Sequence, residues 1–150
     1  MTVDTQAQMT DEEVDDFLLG RQVGVLSLSQ DSEPYSVPVT YYFDDETRRF
    51  YFRLILPPGS HKRRFLTKRP LSRLVVYEED PPRYRSVIAR GRPREIGDGD
   101  VDLDYVEQFG SMMRPLFEMW SEPKPNLDIK LYEFDPTMIT GRRIAVDPDA

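Results

Sequence analysis

The chain has 150 residues and 17.6 kDa, with 20 Lys+Arg against 27 Asp+Glu and a formal net charge of −7, a size that suits one core and one domain. It contains no cysteine and a single histidine, His61, which excludes disulfides, thiolate-ligated zinc, iron–sulfur clusters and a thiol nucleophile, and predicts no bound metal. No apolar run approaches the roughly 18 residues of a membrane span, so a soluble, cytoplasmic protein without membrane contact is expected.

Residues 1–9 show no periodicity and are expected to form a loose N-terminus ahead of one domain over 10–150. Thr10-Asp11-Glu12-Glu13 reads as a capping box that starts a helix with Val14, Phe17 and Leu18 on one stripe and Gly20 as its stop. Val23–Ser29, Tyr35–Phe43 and Phe50–Leu56 alternate apolar and polar residues and are joined by short polar turns, the pattern of an antiparallel meander. Pro38 inside the second run demands an edge or a bulge there. Pro57-Pro58-Gly59 breaks the pattern, and Ser60 is placed to cap a short helix that turns Phe65 and Leu66 inward and stops at Pro70. Leu71–Glu78 and Tyr84–Ile96 are a fourth and a fifth strand, the latter interrupted by Gly91 and Pro93 where a bulge is expected.

Asp98–Asp104 opens a further helix with Tyr105, Val106, Phe109, Met112 and Met113 on its apolar stripe. Pro115 kinks or restarts that helix before Leu116, Phe117 and Trp120. Trp120 and the Met pair read first as core. Asp98, Asp100 and Asp102 imitate a calcium loop, but Leu103 stands where glycine is required and Phe109 where glutamate is. Ile129–Phe134 is a sixth strand. Short alternating strands with a few helices predict a mainly β protein, a small closed or partly closed barrel.

The charge is distributed in three blocks. Residues 1–50 carry 3 basic and 11 acidic side chains, residues 51–94 carry 12 and 3, and residues 95–150 carry 5 and 13. An acidic chain with a basic centre points to a small anionic ligand and away from nucleic acid; the plainer alternative is that these arginines pair with flanking acids. No phosphate-loop or dinucleotide fingerprint is present, and His61 has no neighbouring carboxylate from which to build a serine triad. The sharpest local feature is Gly59-Ser60-His61-Lys62-Arg63. A helix start carrying Lys62 and Arg63 sets positive charge where the helix dipole favours negative, a conflict that a bound phosphate would relieve.

Taken in order, Val23-Gly24-Val25-Leu26-Ser27-Leu28, Pro34-Tyr35-Ser36-Val37-Pro38-Val39-Thr40-Tyr41, Phe50-Tyr51-Phe52, Gly59-Ser60-His61-Lys62, Tyr84-Arg85-Ser86-Val87-Ile88-Ala89-Arg90-Gly91 and Ile139-Thr140-Gly141-Arg142 resemble the pyridoxamine 5′-phosphate oxidase-related flavin-binding split barrels, in particular their short members akin to nitroimidazole-resistance proteins. The resemblance spans residues 10–145. It implies a six-stranded antiparallel split barrel with helices, working as a homodimer with FMN at the subunit interface. Ser60 and Lys62, with His61 and Arg63 beside them and Arg53 on the preceding strand, would then hold the FMN phosphate. Val39, Thr40 and Tyr41 would lie along the isoalloxazine, and Arg85 and Ser86 would approach the cofactor. Leu54 departs from the family, standing where many members carry a small hydroxyl residue. The resemblance also leads us to expect no counterpart of the C-terminal segment with which true pyridoxamine phosphate oxidases hold their substrate, and so to place vitamin B6 oxidation well down the list of activities. The implied activity is electron transfer from a reduced nicotinamide to a small electrophilic acceptor. The alternatives are a non-catalytic flavin carrier, or a barrel for haem or deazaflavin.

Overall fold

The computed structural model describes residues 2–55, 61–96 and 129–147. The helix expected after Asp98, with Trp120 and the Met pair, lies outside the described residues, as does Ser60.

Nine elements follow one another: β1 (Thr2–Gln8), α1 (Asp11–Leu19), β2 (Val23–Gln30), β3 (Glu33–Asp44), β4 (Arg49–Ile55), α2 (His61–Thr67), β5 (Ser72–Asp80), β6 (Arg83–Ile96) and β7 (Ile129–Asp147). The sheet order is β1-β7-β4-β3-β2-β5-β6, and β6 also pairs with β7. Strands β2 to β7 therefore close on themselves into a six-stranded antiparallel barrel, with β1 attached outside the ring. Closure depends on the length of β7. Its first residues pair with β4 (Ile55↔Ile129 to Phe50↔Phe134), nearly its whole length pairs with β6, and its last residues leave β4 behind and pair with β1. The barrel is split where β7 parts from β4.

The six strands expected from periodicity are all present, because β-branched and aromatic residues alternate with polar ones between turn-forming residues. Two expectations need correction. Residues 2–8 are not a loose N-terminus: they form β1, whose main chain satisfies the free edge of β7 from Thr2↔Asp147 to Gln8↔Arg142. The sixth strand does not stop at Phe134 but continues through Pro136 and Gly141 to Asp147.

Alternation sorts the side chains into an inner and an outer face. Leu26, Leu28, Val39, Tyr41, Phe43, Phe50, Phe52, Leu54, Leu74, Val76, Val87 and Ala89 point inward and form the core. Around Phe50 the rings of Tyr41, Phe43 and Phe134 pack at 4.8 to 6.1 Å between centroids, within the range where aromatic pairs attract. Helix α1 covers one end of the barrel. Its capping box is complete, Glu13 N–H donating to Thr10 Oγ1 and Thr10 N–H to Glu13 Oε1, each at 3.2 Å. Its stripe of Val14, Phe17 and Leu18 is buried. The Tyr41 hydroxyl donates to Leu18 O at 2.8 Å, tying the helix to β3.

Proline and glycine fit where the pairing allows them. Pro38 faces Val25 on β2, but β4 pairs with β3 only over Tyr41–Asp44, so at Pro38 the strand has one partner and is locally an edge. Gly91 sits at the shift of register between Arg90 and Gly91, the expected bulge. A Cβ there would lie 2.9 Å from Asp135 O.

Candidate functional site

Register decides which of the anticipated ligand-binding residues share a face. Tyr41 pairs with Phe52 and both point inward, so Thr40 and Arg53, one residue further along each strand, point outward together. Thr40 is 2% exposed, a buried polar residue on the outer face. The Nε atom of Arg53 is buried as well. From Arg53 the chain runs through residues 56–60 and re-enters the description as α2, which begins His61-Lys62-Arg63 and has no acidic residue in its first turn. Arg63 is partly buried and its Nε atom fully so. Phe65 and Leu66 anchor α2 to the core at 1% and 3% exposure, and the Tyr35 ring stacks on Phe65 at 5.4 Å. Leu54, the departure from the family pattern, is 1% exposed and faces the barrel interior, away from Arg53.

Val39 and Tyr41 place only main chain on the outer face, since their side chains are core. Burial pushes the Tyr41 hydroxyl well above the usual tyrosine range, so it remains a hydrogen-bond donor throughout ordinary pH.

Arg85 and Ser86 part company, because neighbouring residues of a strand face opposite ways. Ser86 lies on the outer face with Ile88. Arg85 lies on the inner side with Val87 and Ala89, at the barrel end that α1 covers. Its guanidinium sits 4.8 Å over the Phe17 ring and donates from Nε to Glu78 Oε2 at 2.8 Å. Arg21 approaches the same carboxylate at 3.6 Å. The hydrogen bond from Arg85 holds the Glu78 carboxyl below the usual carboxylate range. Counting in twos back from Val87 and Ala89 was the signal available in the sequence for this inward placement.

Only part of the basic centre is neutralised by flanking acids. Arg64 meets Glu33 at 3.2 Å and Arg94 meets Glu133 at 3.5 Å, while Arg83 and Arg85 use Asp80 and Glu78 of their own segment. Among the described residues no group of three or more His, Asp or Glu could hold a metal ion, and no helix is long and apolar enough to cross a membrane.

The described strands close into an antiparallel barrel with the basic helix α2 after its third strand. The chain matches the family described as pyridoxamine 5′-phosphate oxidase over residues 10–143, and it belongs to that family. It is similar to a FAD-binding protein from Mesorhizobium loti at 19% identity, covering 95% of this chain and 98% of that one with a TM-score of 0.71. A FAD and heme binding protein from Mycobacterium smegmatis is 17% identical, with 97% and 78% covered and a TM-score of 0.69. A candidate 5-nitroimidazole antibiotic resistance protein from Bacteroides thetaiotaomicron is 14% identical, with 95% and 91% covered and a TM-score of 0.69. No curated protein matches the chain.

Proposed function

We propose that this chain binds FMN and works as an oxidoreductase, passing electrons from a reduced nicotinamide to a small electrophilic acceptor. The observation that carries the reading is the pair of guanidiniums at the two ends of the β4–α2 connection, Arg53 and Arg63, whose Nε atoms are both drawn into the protein. A guanidinium suits a dianionic phosphate because its planar fork of N–H donors matches the phosphate oxygens. In this reading Arg53, Ser60, His61, Lys62 and Arg63 hold the phosphate. The outward main chain of Val39, Thr40 and Tyr41 lies along the isoalloxazine, and Ser86 supplies a hydroxyl from β6. Arg85 is left out of the set, since Glu78 and Phe17 already hold its guanidinium.

The flavin, when bound, supplies the hydride and electron chemistry. The protein's part is to anchor the phosphate, to fix the ring against a strand, and to exclude water from it. A homodimer with the cofactor at its interface is part of the proposal. It is supported by the apolar side chains left open on the outer face, Val23, Tyr77 and Ile88, at 40%, 58% and 37% exposure. We place the protein in the cytoplasm, where reduced nicotinamides are at hand. The names of the neighbours add FAD and haem as rival ligands. A spectrum sets haem apart by its Soret band, and FMN and FAD, which share their visible bands, are told apart by the mass of the released flavin.

The test is rapid mixing of the FMN-loaded chain with NADH and with NADPH, followed by loss of the oxidised flavin absorbance. Bleaching with either donor, and return of the colour on adding an electrophilic acceptor, is the expected result. A flavin that binds and stays oxidised with both donors would leave a carrier and refute the enzyme. Lys62→Ala is expected to weaken FMN binding by about 1.5–3 kcal/mol, the scale of a charge-assisted hydrogen bond.

A further inference from the structure

Helix α2 carries cations assigned above to the flavin phosphate, yet little within the helix itself holds it in place. It is seven residues long, well short of the roughly 12 at which an isolated helix becomes even marginal in water. Lys62, Arg63 and Arg64 follow one another with no acidic residue in the first turn, so mutual repulsion and the helix dipole both oppose it. Phe65 and Leu66 seat the helix on the core, but two adjacent anchors on so short a helix leave its first turn free to pivot.

The first residues of β3 supply the missing restraint. The Tyr35 ring stacks on the Phe65 ring at 5.4 Å between centroids and 25° between planes, within the range of attractive aromatic pairs. Two residues earlier, Glu33 accepts a hydrogen bond from Arg64 Nη2 at 3.2 Å. The Arg64 guanidinium in turn lies 5.4 Å from the centre of the same Phe65 ring. Two residues of one strand thus meet two neighbours of one helix. The strand is a stiff support. Asp31 and Ser32 both have positive φ, as in the tight two-residue turn that hairpins favour, and β3 pairs with β2 in unbroken register from Gln30↔Glu33 to Val23↔Thr40. Tyr35 and Val37 continue the inward file of Val39 and Tyr41. The clamp on α2 and the stretch 39–41 therefore belong to one strand, with Tyr35 and Thr40 about 17 Å apart along it.

We infer that Tyr35 is a positioning residue for the flavin phosphate: acting through Phe65, and helped by the Glu33–Arg64 pair, it fixes the first turn of α2 relative to the strand that backs the ring. The inference rests on the FMN reading above and adds to it a residue outside the set that holds the cofactor. An exposed ion pair contributes little by itself, so the ring stack carries most of the effect. Its loss lets the cations of α2 move relative to the strand, which weakens the grip on the phosphate and spares the hold on the ring.

The experiment compares the native full chain with Tyr35→Leu, Tyr35→Phe and Glu33→Gln in two measurements: fluorescence titration with FMN and with riboflavin, and hydrogen exchange at the amides of Phe65 to Thr67 without flavin. Tyr35→Leu is expected to lose FMN affinity about fivefold or more while riboflavin affinity stays within about twofold of native. Its α2 amides are expected to exchange faster while those of α1 keep their native rate. Tyr35→Phe keeps the ring and is expected to match the native chain in each reading. Glu33→Gln removes a surface acid, which by charge alone would tighten FMN; loss of the clamp is expected to weaken it about twofold instead. That exposed change leaves the core untouched and carries the test if Tyr35→Leu does not fold. Equal losses for FMN and riboflavin would mean general distortion and overturn the inference. Native FMN affinity in Tyr35→Leu and Glu33→Gln, or native exchange at α2 in Tyr35→Leu, would overturn it as well. A native chain that binds FMN no tighter than riboflavin refutes the FMN reading and, with it, the phosphate role of Tyr35. The two failures show in different samples, the reading in the native chain and the inference in the variants.

Discussion

Tyr41 illustrates how one residue can serve the fold with its side chain and a ligand with its main chain. Its ring is part of the core, its hydroxyl donates to Leu18 O at 2.8 Å, and burial raises its pKa. Tyr41→Phe is expected to cost about 1 kcal/mol of stability through the lost hydrogen bond and to leave FMN affinity within about twofold of native. Denaturant titration and flavin titration on the same sample check both halves. Arg85 is a parallel case on β6. The Glu78 carboxyl lies below its usual range because Arg85 donates to it. A carboxylate whose folded pKa is lowered adds stability above its unfolded pKa, and that stability disappears as pH falls through the folded value. Glu78→Gln should therefore lower the melting temperature near neutral pH and show a shallower loss on acidification below about pH 4.5. Parallel melting curves for the two proteins from pH 7 to pH 3 would contradict this account of Glu78.

At the level of strands and helices, much was legible and the exceptions have physical causes. The capping box of α1, the six barrel strands, the inward Phe65 and Leu66 and the bulge at Gly91 all follow from patterns local to the chain. Strand β1 does not. Thr-Val-Asp-Thr-Gln-Ala-Gln has no apolar alternation, and it is a strand because the end of β7 extends beyond β4 and offers it an edge. The extension of β7 was masked by Pro136 and Gly141, residues that ordinarily interrupt strands. Gly141 is tolerated because α1 and the N-terminal segment press against it: a Cβ there would lie 2.8 Å from Val14 Cγ2 and 3.0 Å from Met9 Sδ. Gly91 is bounded instead by backbone, Asp135 O and Pro136 Cα, which cannot swing aside. Gly91→Ala should accordingly destabilise the barrel by roughly 1–3 kcal/mol, and more than Gly141→Ala, whose neighbours include flexible side-chain ends. Equal midpoints in denaturant for Gly91→Ala and the native chain would contradict that role for the bulge.

For the molecule as a whole, the three-block charge pattern was the most useful feature of the sequence, yet it could not say which arginines are spent on ion pairs. The fold sorts them. Arg64, Arg83, Arg85 and Arg94 meet carboxylates, Arg53 and Arg63 each bury a guanidinium Nε atom and have partners of their own, and Arg73 and Arg90 face each other on the surface. The proposed phosphate site reads in the sequence as a set of residue types around Ser60 to Arg63, because a helix start with cations in its first turn is a local conflict. It was not legible as a surface, because which side of a strand faces out is fixed only when the barrel closes.

The central claim is that this surface grips a flavin by its phosphate, and comparing FMN with riboflavin tests it most directly, since the two share the ring and differ in that group alone. Titration of the full chain, read by quenching of flavin fluorescence, is expected to show FMN binding at least tenfold tighter than riboflavin, the ratio that corresponds to about 1.4 kcal/mol or more from the phosphate contacts. Equal affinity for the two, or affinity for neither, would contradict the account.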